Sequence, residues 1–251
     1  MLAPMLVLFT DFGLSGPYTG QMKAVVHAAA PGVPVVDLFA DAPRTNPRAA
    51  AYLLAAYFPA LPEGSVFLCV VDPGVGGPRR ALCVEAGGYR FVGPDNGLFE
   101  HVLRRTVGAA CWEIVWRPSH LSASFHGRDL FAPVAASIAT GERPAAGPRF
   151  RPLGADELVR AGGPDDLAEV IYIDEFGNAI TGIRASAMDP GEGLLVGETF
   201  LPRAETFSSV SLGAGFCYEN SNGLIEIAVN QGKADQVFGI GVGTPVGKRL
   251  G

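Results

Sequence analysis

The chain is 251 residues long, 48% hydrophobic and 18% charged, with a formal net charge of -6. That length and apolar content suit one large domain or two smaller ones, each with a sizeable core. The acidic balance, with no Lys/Arg cluster beyond pairs such as Arg79-Arg80 and Arg104-Arg105, argues against phosphate-backbone binding and so against a nucleic-acid partner.

MLVLFT (5–10) reads as a first strand. A helical pattern covers 18–30 and stops at Pro31-Gly32, PVVDLF (34–39) reads as strand, and 47–58 as a helix with Pro47 in its first turn. SVFLCVV (65–71) is a fully buried strand, ALCVEA and YRFVG flank a Gly87-Gly88 hairpin signal, and 129–140 reads as a helix after Gly127. Strands alternating with helices predict an α/β domain with a mainly parallel sheet over residues 1–145. Composition shifts toward Pro, Gly and charge over 141–167, which places a linker at 146–167. Over 168–251, short β-like segments with glycine turns (EVIYID, GLLVG, GFCYE, GLIEIAV, QVFGIGVGTPV) predict a smaller all-β domain, a small barrel or sandwich.

MLAPMLVLFTDF lacks the basic start of a signal peptide, and no run approaches the roughly 20 apolar residues that span a bilayer. No membrane association and a cytoplasmic location are expected. Cys69, Cys83, Cys111 and Cys217 show no CxxC or Cys/His spacing, so buried free thiols are expected rather than disulfides or a metal site.

Three polar clusters fall at expected strand ends, where ligands of open α/β sheets bind: Thr10-Asp11-Phe12-Gly13, Asp72-Pro73-Gly74 and Pro94-Asp95-Asn96-Gly97. Each alone reads as a turn; together they can line one crevice. The DFG at 11–13 has no Gly-rich loop, strand lysine or HRD before it and is not a kinase motif, and no phosphate-binding glycine motif is present. His126, in SFHGRD, has the most suggestive setting of the four histidines. Asp174 to Asn178 and Glu219 to Gly223 are dense in donors and acceptors suited to a hydroxylated, nitrogen-rich ligand.

Taken together, LFTDFG, VDLFADAP, FLCVVDPGVGGPRR, GPDNGLF, SFHGRDLFAP, IDEFGN and NSNGLIEIAVNQG resemble, in order and over nearly the whole chain, the adenosine-forming S-adenosylmethionine (SAM) hydrolases. These are also called SAM hydroxide adenosyltransferases and are related to the SAM-dependent fluorinase and chlorinase. The resemblance implies an α/β domain followed by a β-barrel, a homotrimer with SAM held between subunits, and no cofactor or metal. It implies an Asp-Arg-His set around the attacking water at Asp72, Arg79 and His126, and ribose hydroxyls held by Asp11. It places the methionine ammonium at Asp174, with Ser124 and Asn178 near, and the adenine-reading segment around Ser221, Asn222, Val229 and Gln231. Asp72 stands where halogenases carry a tyrosine, and the extra loop that the fluorinase carries after the region matching Pro94 to Phe99 is missing, Phe99 reaching Cys111 through eleven intervening residues; both departures favour hydrolysis, while Asn222 stands where halogenases carry an arginine. Halogenation and a non-catalytic SAM sensor are the alternatives.

Overall fold

The computed structural model describes residues 4–251. The five residues Leu6–Thr10 (β1), four apolar and one threonine, are all buried, as a strand must be when helices cover both faces of its sheet. α1 (Tyr18–Ala29) packs Met22 and Val26, four residues apart on one face, into the core. After β2 (Val35–Phe39), the Asn46 side chain accepts the Ala49 N–H at 3.0 Å and caps α2 (Pro47–Tyr57), whose first residue is the proline that needs no donor. β3 (Val66–Val70), β4 (Ala81–Ala86), β5 (Tyr89–Pro94), α3 (Glu100–Arg105), β6 (Ala110–Ile114), α4 (Ala132–Ala139) and β7 (Phe150–Leu153) complete this half.

Its sheet has the order β2-β1-β3-β5-β4-β6-β7. β1, β2, β3 and β5 pair in parallel, and β4, β6 and β7 join by antiparallel pairings. Five of the seven strands therefore run in one direction, the mainly parallel sheet expected. The parallel strands β1, β3 and β5 end together at Thr10, Val70 and Pro94, and this margin leads into the candidate site.

Internal packing divides the chain into compact units ending and beginning at Gly162 and Gly163. The stretch 146–167, read as linker, contains β7. Phe150 is buried and Arg151 pairs with Glu113 across the ladder, so this strand finishes the sheet edge.

The second unit holds β8 (Leu167–Ile173), β9 (Ala179–Arg184), β10 (Glu192–Val196), β11 (Thr199–Leu201), β12 (Gly215–Glu219), β13 (Leu224–Val229), α5 (Ala234–Phe238) and β14 (Gly247–Leu250). Two antiparallel sheets, β11-β10-β14 and β12-β13-β9-β8, are linked at both margins by the bridges Arg203↔Cys217 and Glu169↔Pro245. The strands thus close into a barrel around Ile183, Leu194, Ile225 and Ile227. One expectation fails: QVFGIGVGTPV is not a strand. Its start is the short helix α5, stopped by Gly239 in the left-handed conformation (φ 60°), and turns follow until β14.

Leu68 is fully buried in the centre of the first sheet. Leu68→Ala is expected to lower stability by about 2–5 kcal/mol through lost burial and a residual cavity, measured by denaturant unfolding.

Candidate functional site

The turn after β3 carries Asp72 and the end of the same loop carries Arg79. The Arg79 Nε donates to both Asp72 oxygens, at 2.9 and 3.1 Å, and its Nη2 also reaches Oδ2. Both side chains are nearly buried, at 3% and 10% exposed, so each charge depends on the other. Glycines let this loop fold tightly: Gly76 has φ +78°, and a Cβ there would lie 2.4 Å from the Ala123 carbonyl oxygen. The loop therefore packs its backbone directly on the strand of chain that leads into Ser124 and His126.

His126 begins the helix expected at 129–140, which starts earlier than its apolar pattern suggests. A turn of π-helix over Gly127–Phe131 precedes α4, a widened geometry frequent at functional sites. Arg79 Nη2 lies 3.1 Å from His126 Nδ1. A guanidinium carries only donors, so Nδ1 accepts and the neutral ring holds its proton on Nε2. Burial first, and the Arg79 charge second, hold His126 below the ordinary imidazole value. The guanidinium also sits 5.2 Å from the Phe131 ring centre.

Asp11, at the end of β1, faces the same small cavity, of about 70 Å³, together with Asp72, Ser124 and His126. Its Oδ2 accepts the Thr45 N–H at 2.8 Å. Thr45 has φ +54°, a left-handed conformation that a β-branched residue rarely adopts. Burial raises the Asp11 carboxyl, with the Asp72 charge adding, against the pull of the Thr45 amide and Arg44. Phe12, Tyr18 and Phe125 form an aromatic cluster beside the cavity, with ring centres 5.4–5.9 Å apart. The third sequence cluster behaves differently: Asp95 and Asn96 are absent from the cavity wall, Asp95 facing the Arg80 guanidinium and the Val159 amide and Asn96 the Val71 carbonyl.

In the second unit, a cavity of about 670 Å³ is lined by Asp174, Asn178, Val229 and Gln231 among the expected residues. That size suits a small organic ligand. Asn178 donates to Asp174 from its backbone (2.8 Å) and its amide (3.1 Å), fixing the carboxylate at the tip of the β8–β9 turn. Gln231 occupies the left-handed region at φ +57°. Ser221 instead lines a separate cavity of about 430 Å³, and Asn222 donates to its hydroxyl at 3.1 Å.

Phe207, Tyr218 and Glu226 also line the larger cavity and were not singled out in the sequence. Glu226 is buried, and Tyr218, its cross-strand partner, donates to it at 2.6 Å while Asn220 does so at 3.1 Å. Burial pushes its carboxyl up despite these donors, and the Asp174 charge adds. The signal available was a lone acid inside the apolar strand LIEIAV. Among the described residues, no group of three or more His, Cys, Asp or Glu is placed to hold a metal ion.

Residues 6–147 match the SAM hydroxide adenosyltransferase N-terminal domain and 168–247 its C-terminal domain. An (R)-S-adenosyl-L-methionine hydrolase of Thermus thermophilus is 40% identical, over 94% of this chain and 96% of that protein. A fluorinase of Nocardia brasiliensis is 22% identical over 99% of this chain and 97% of its own. The crystal structure of an uncharacterized conserved protein from Thermotoga maritima superposes with a TM-score of 0.86 at 30% identity, covering 97% of this chain and 99% of the other.

The tautomer and charge argument is open to NMR. The His126 ring should titrate below 6.5, and Arg79→Met should move it upward by removing the adjacent positive charge and leaving Asp72 uncompensated.

Proposed function

The chain belongs to the SAM hydroxide adenosyltransferase family, and from that premise we propose that it hydrolyses S-adenosyl-L-methionine to adenosine and L-methionine. The observation that carries this reading is the Asp72–Arg79–His126 network facing a small cavity beside Asp11.

The chemistry asks little of the leaving group. Oxygen of water or hydroxide bonds to ribose C5′ as the C5′–S bond breaks, and the electron pair returns to a sulfonium that leaves as a neutral thioether. No acid, metal or dissociable cofactor is needed for that departure. The nucleophile needs an acceptor and alignment. Asp72 supplies the acceptor, taking the water proton and passing it to solvent, while the Nε2–H of His126 donates to the incoming oxygen and aligns it. The Asp72 carboxylate also disfavours a halide in the same place, which separates this reading from halogenation. Asp11 accepts from the ribose hydroxyls, with Ser124 beside it. In the second unit Asp174 takes the ammonium, and the aromatic wall of Phe207 and Tyr218 with Asn178 and the Val229–Gln231 turn receives the rest of the substrate. Ser221 and Asn222 remain assigned by resemblance alone.

We infer a cytoplasmic homotrimer in which substrate sites are shared between subunits, as the family resemblance implies. The four cysteines are free and buried, and Cys111 and Cys217 are pushed up to about 11 by burial, which suits a reducing compartment. Light scattering tests the assembly; a fully active monomer contradicts it.

Incubation with SAM and chloride in oxygen-18 water should yield adenosine carrying the heavy oxygen. A 5′-chloro nucleoside would establish halogenation instead, and intact, tightly bound SAM a sensor. Asp72→Ala and His126→Ala should each bind SAM yet lose most turnover, and unchanged rates in both would remove the proposed centre.

The pH dependence has a definite sign. Burial above all, then Arg79 and Arg117, favour the neutral imidazole while Asp72 and Asp129 oppose them, and the net effect is a lowered value. A proton added by acid must take the Nδ1 position to which Arg79 donates. Turnover is therefore expected to hold through neutral pH and to fall only as pH drops through a value below 6.5.

A further inference from the structure

Asp72 and Arg79 sit at opposite ends of a loop whose interior, Asp72 to Arg80, contains Gly74, Gly76 and Gly77. Such a segment has little stiffness of its own. Its internal bonds, Val75 N–H to Asp72 O at 3.2 Å and Gly77 N–H to Gly74 O at 3.0 Å, shape the middle but leave the ends to be held from outside.

The outside holders are two consecutive residues at the end of β5. Asn96 donates from its side-chain amide to the Val71 carbonyl at 2.9 Å, immediately before Asp72. Asp95 receives Arg80 Nε at 2.9 Å and returns its own backbone N–H to the Arg80 carbonyl at 3.0 Å, immediately after Arg79. The second Asp95 oxygen accepts the Val159 N–H at 2.9 Å, and Arg80 also reaches the Glu157 carbonyl. The Asp95 side chain is 2% exposed, so it is fully enclosed by these partners. The antiparallel register sets this up, because Ala81 pairs with Pro94 and the next residues outward, Arg80 and Asp95, meet face to face. Consecutive arginines thus divide their work. Arg79 is committed to Asp72 and His126, and Arg80 to the frame.

We propose that Asp95 and Asn96 are positioning residues for hydrolysis, fixing both ends of the glycine loop so that Arg79 holds the Asp72 carboxylate and the His126 ring where they meet the nucleophile in line with the bond to be broken. The inference rests on the assignment of Asp72 and Arg79 to the reacting centre. It explains why a turn rich in polar side chains lies at the ligand-bearing margin of the sheet without contributing to the cavity wall. Displacement by about 1 Å from outside the reacting centre is enough to cost about a hundredfold in rate.

The test uses the full chain and SAM. Asn96→Asp keeps the shape of the side chain but removes the donor to Val71. Asp95→Asn keeps one acceptor but breaks the ion pair with Arg80. Each is assayed for kcat and KM separately and for the pH profile of kcat, with thermal melting beside them and Asp72→Asn as reference. The proposal expects kcat to fall about ten- to a hundredfold in either variant, with KM changed less than kcat and the acid limb displaced toward the ordinary imidazole value. A folded variant with a lowered melting temperature but wild-type kcat and pH profile overturns it, leaving the frame a stabilising feature only. If Asn96→Asp does not fold, the NMR titration of His126 in Asp95→Asn decides: an upward shift supports the proposal, and an unchanged one overturns it. Full turnover by Asp72→Asn would overturn the assignment of the reacting centre itself, an outcome separate from failure of the frame.

Discussion

A single guanidinium constrains everything around it. Arg79 is enclosed with its counter-charge, donates to both oxygens of Asp72 and one nitrogen of His126, and leans on the ring of Phe131. Withdrawing two charges from water is costly and is offset only when geometry satisfies both, so neither partner can be lost without stranding the other. The glycines of the loop, its close approach to Ala123 and the widened first turn of the helix after His126 all serve that meeting of positions 72, 79 and 126.

The two units divide the chemistry by kind. The first holds buried charge beside a cavity of about 70 Å³, whose donors and acceptors are fixed in advance, as the proposed orientation of an oxygen nucleophile requires. The second holds a larger cavity of about 670 Å³ with aromatic walls and three carboxyl groups, suited to the cationic and flat parts of a substrate. Within each unit the site stands at the ends of strands, where a rigid ladder stops and side chains become free to face a ligand.

Much of this was legible in the sequence, and the exceptions have physical causes. β1, α1, β2, α2 and β3 announce themselves through long apolar runs and through Pro47 and Pro31-Gly32 as punctuation. β6 and β7 do not, because ACWEI and FRPL mix charged or cyclic residues into four- and five-residue strands near a sheet edge. QVFGIGVGTPV misleads since its alternation of apolar residues and glycine imitates a strand, whereas a helix of five residues is too short to show a 3.6 period. Asp72, Arg79 and His126 were identified through motif resemblance, yet the hydrogen bonds joining them span up to 47 positions and required the fold. Asp95 and Asn96 illustrate the opposite limit: their residue types suggest ligand contact, and only the ladder register shows that they face Arg80 and Val71.

Thr45 links Asp11 to the scaffold in a way that reaches beyond geometry. Its strained backbone presents an amide to the Asp11 carboxylate, and the next residue, Asn46, caps α2. The carboxylate and the first turn of a largely buried helix are therefore joined through two adjacent residues. Fraying of that turn would release the amide from Asp11, so any ligand that gains from a fixed Asp11 also disfavours local opening of the helix. Occupancy of the cavity is in this sense thermodynamically coupled to the order of a segment more than thirty positions away in the chain.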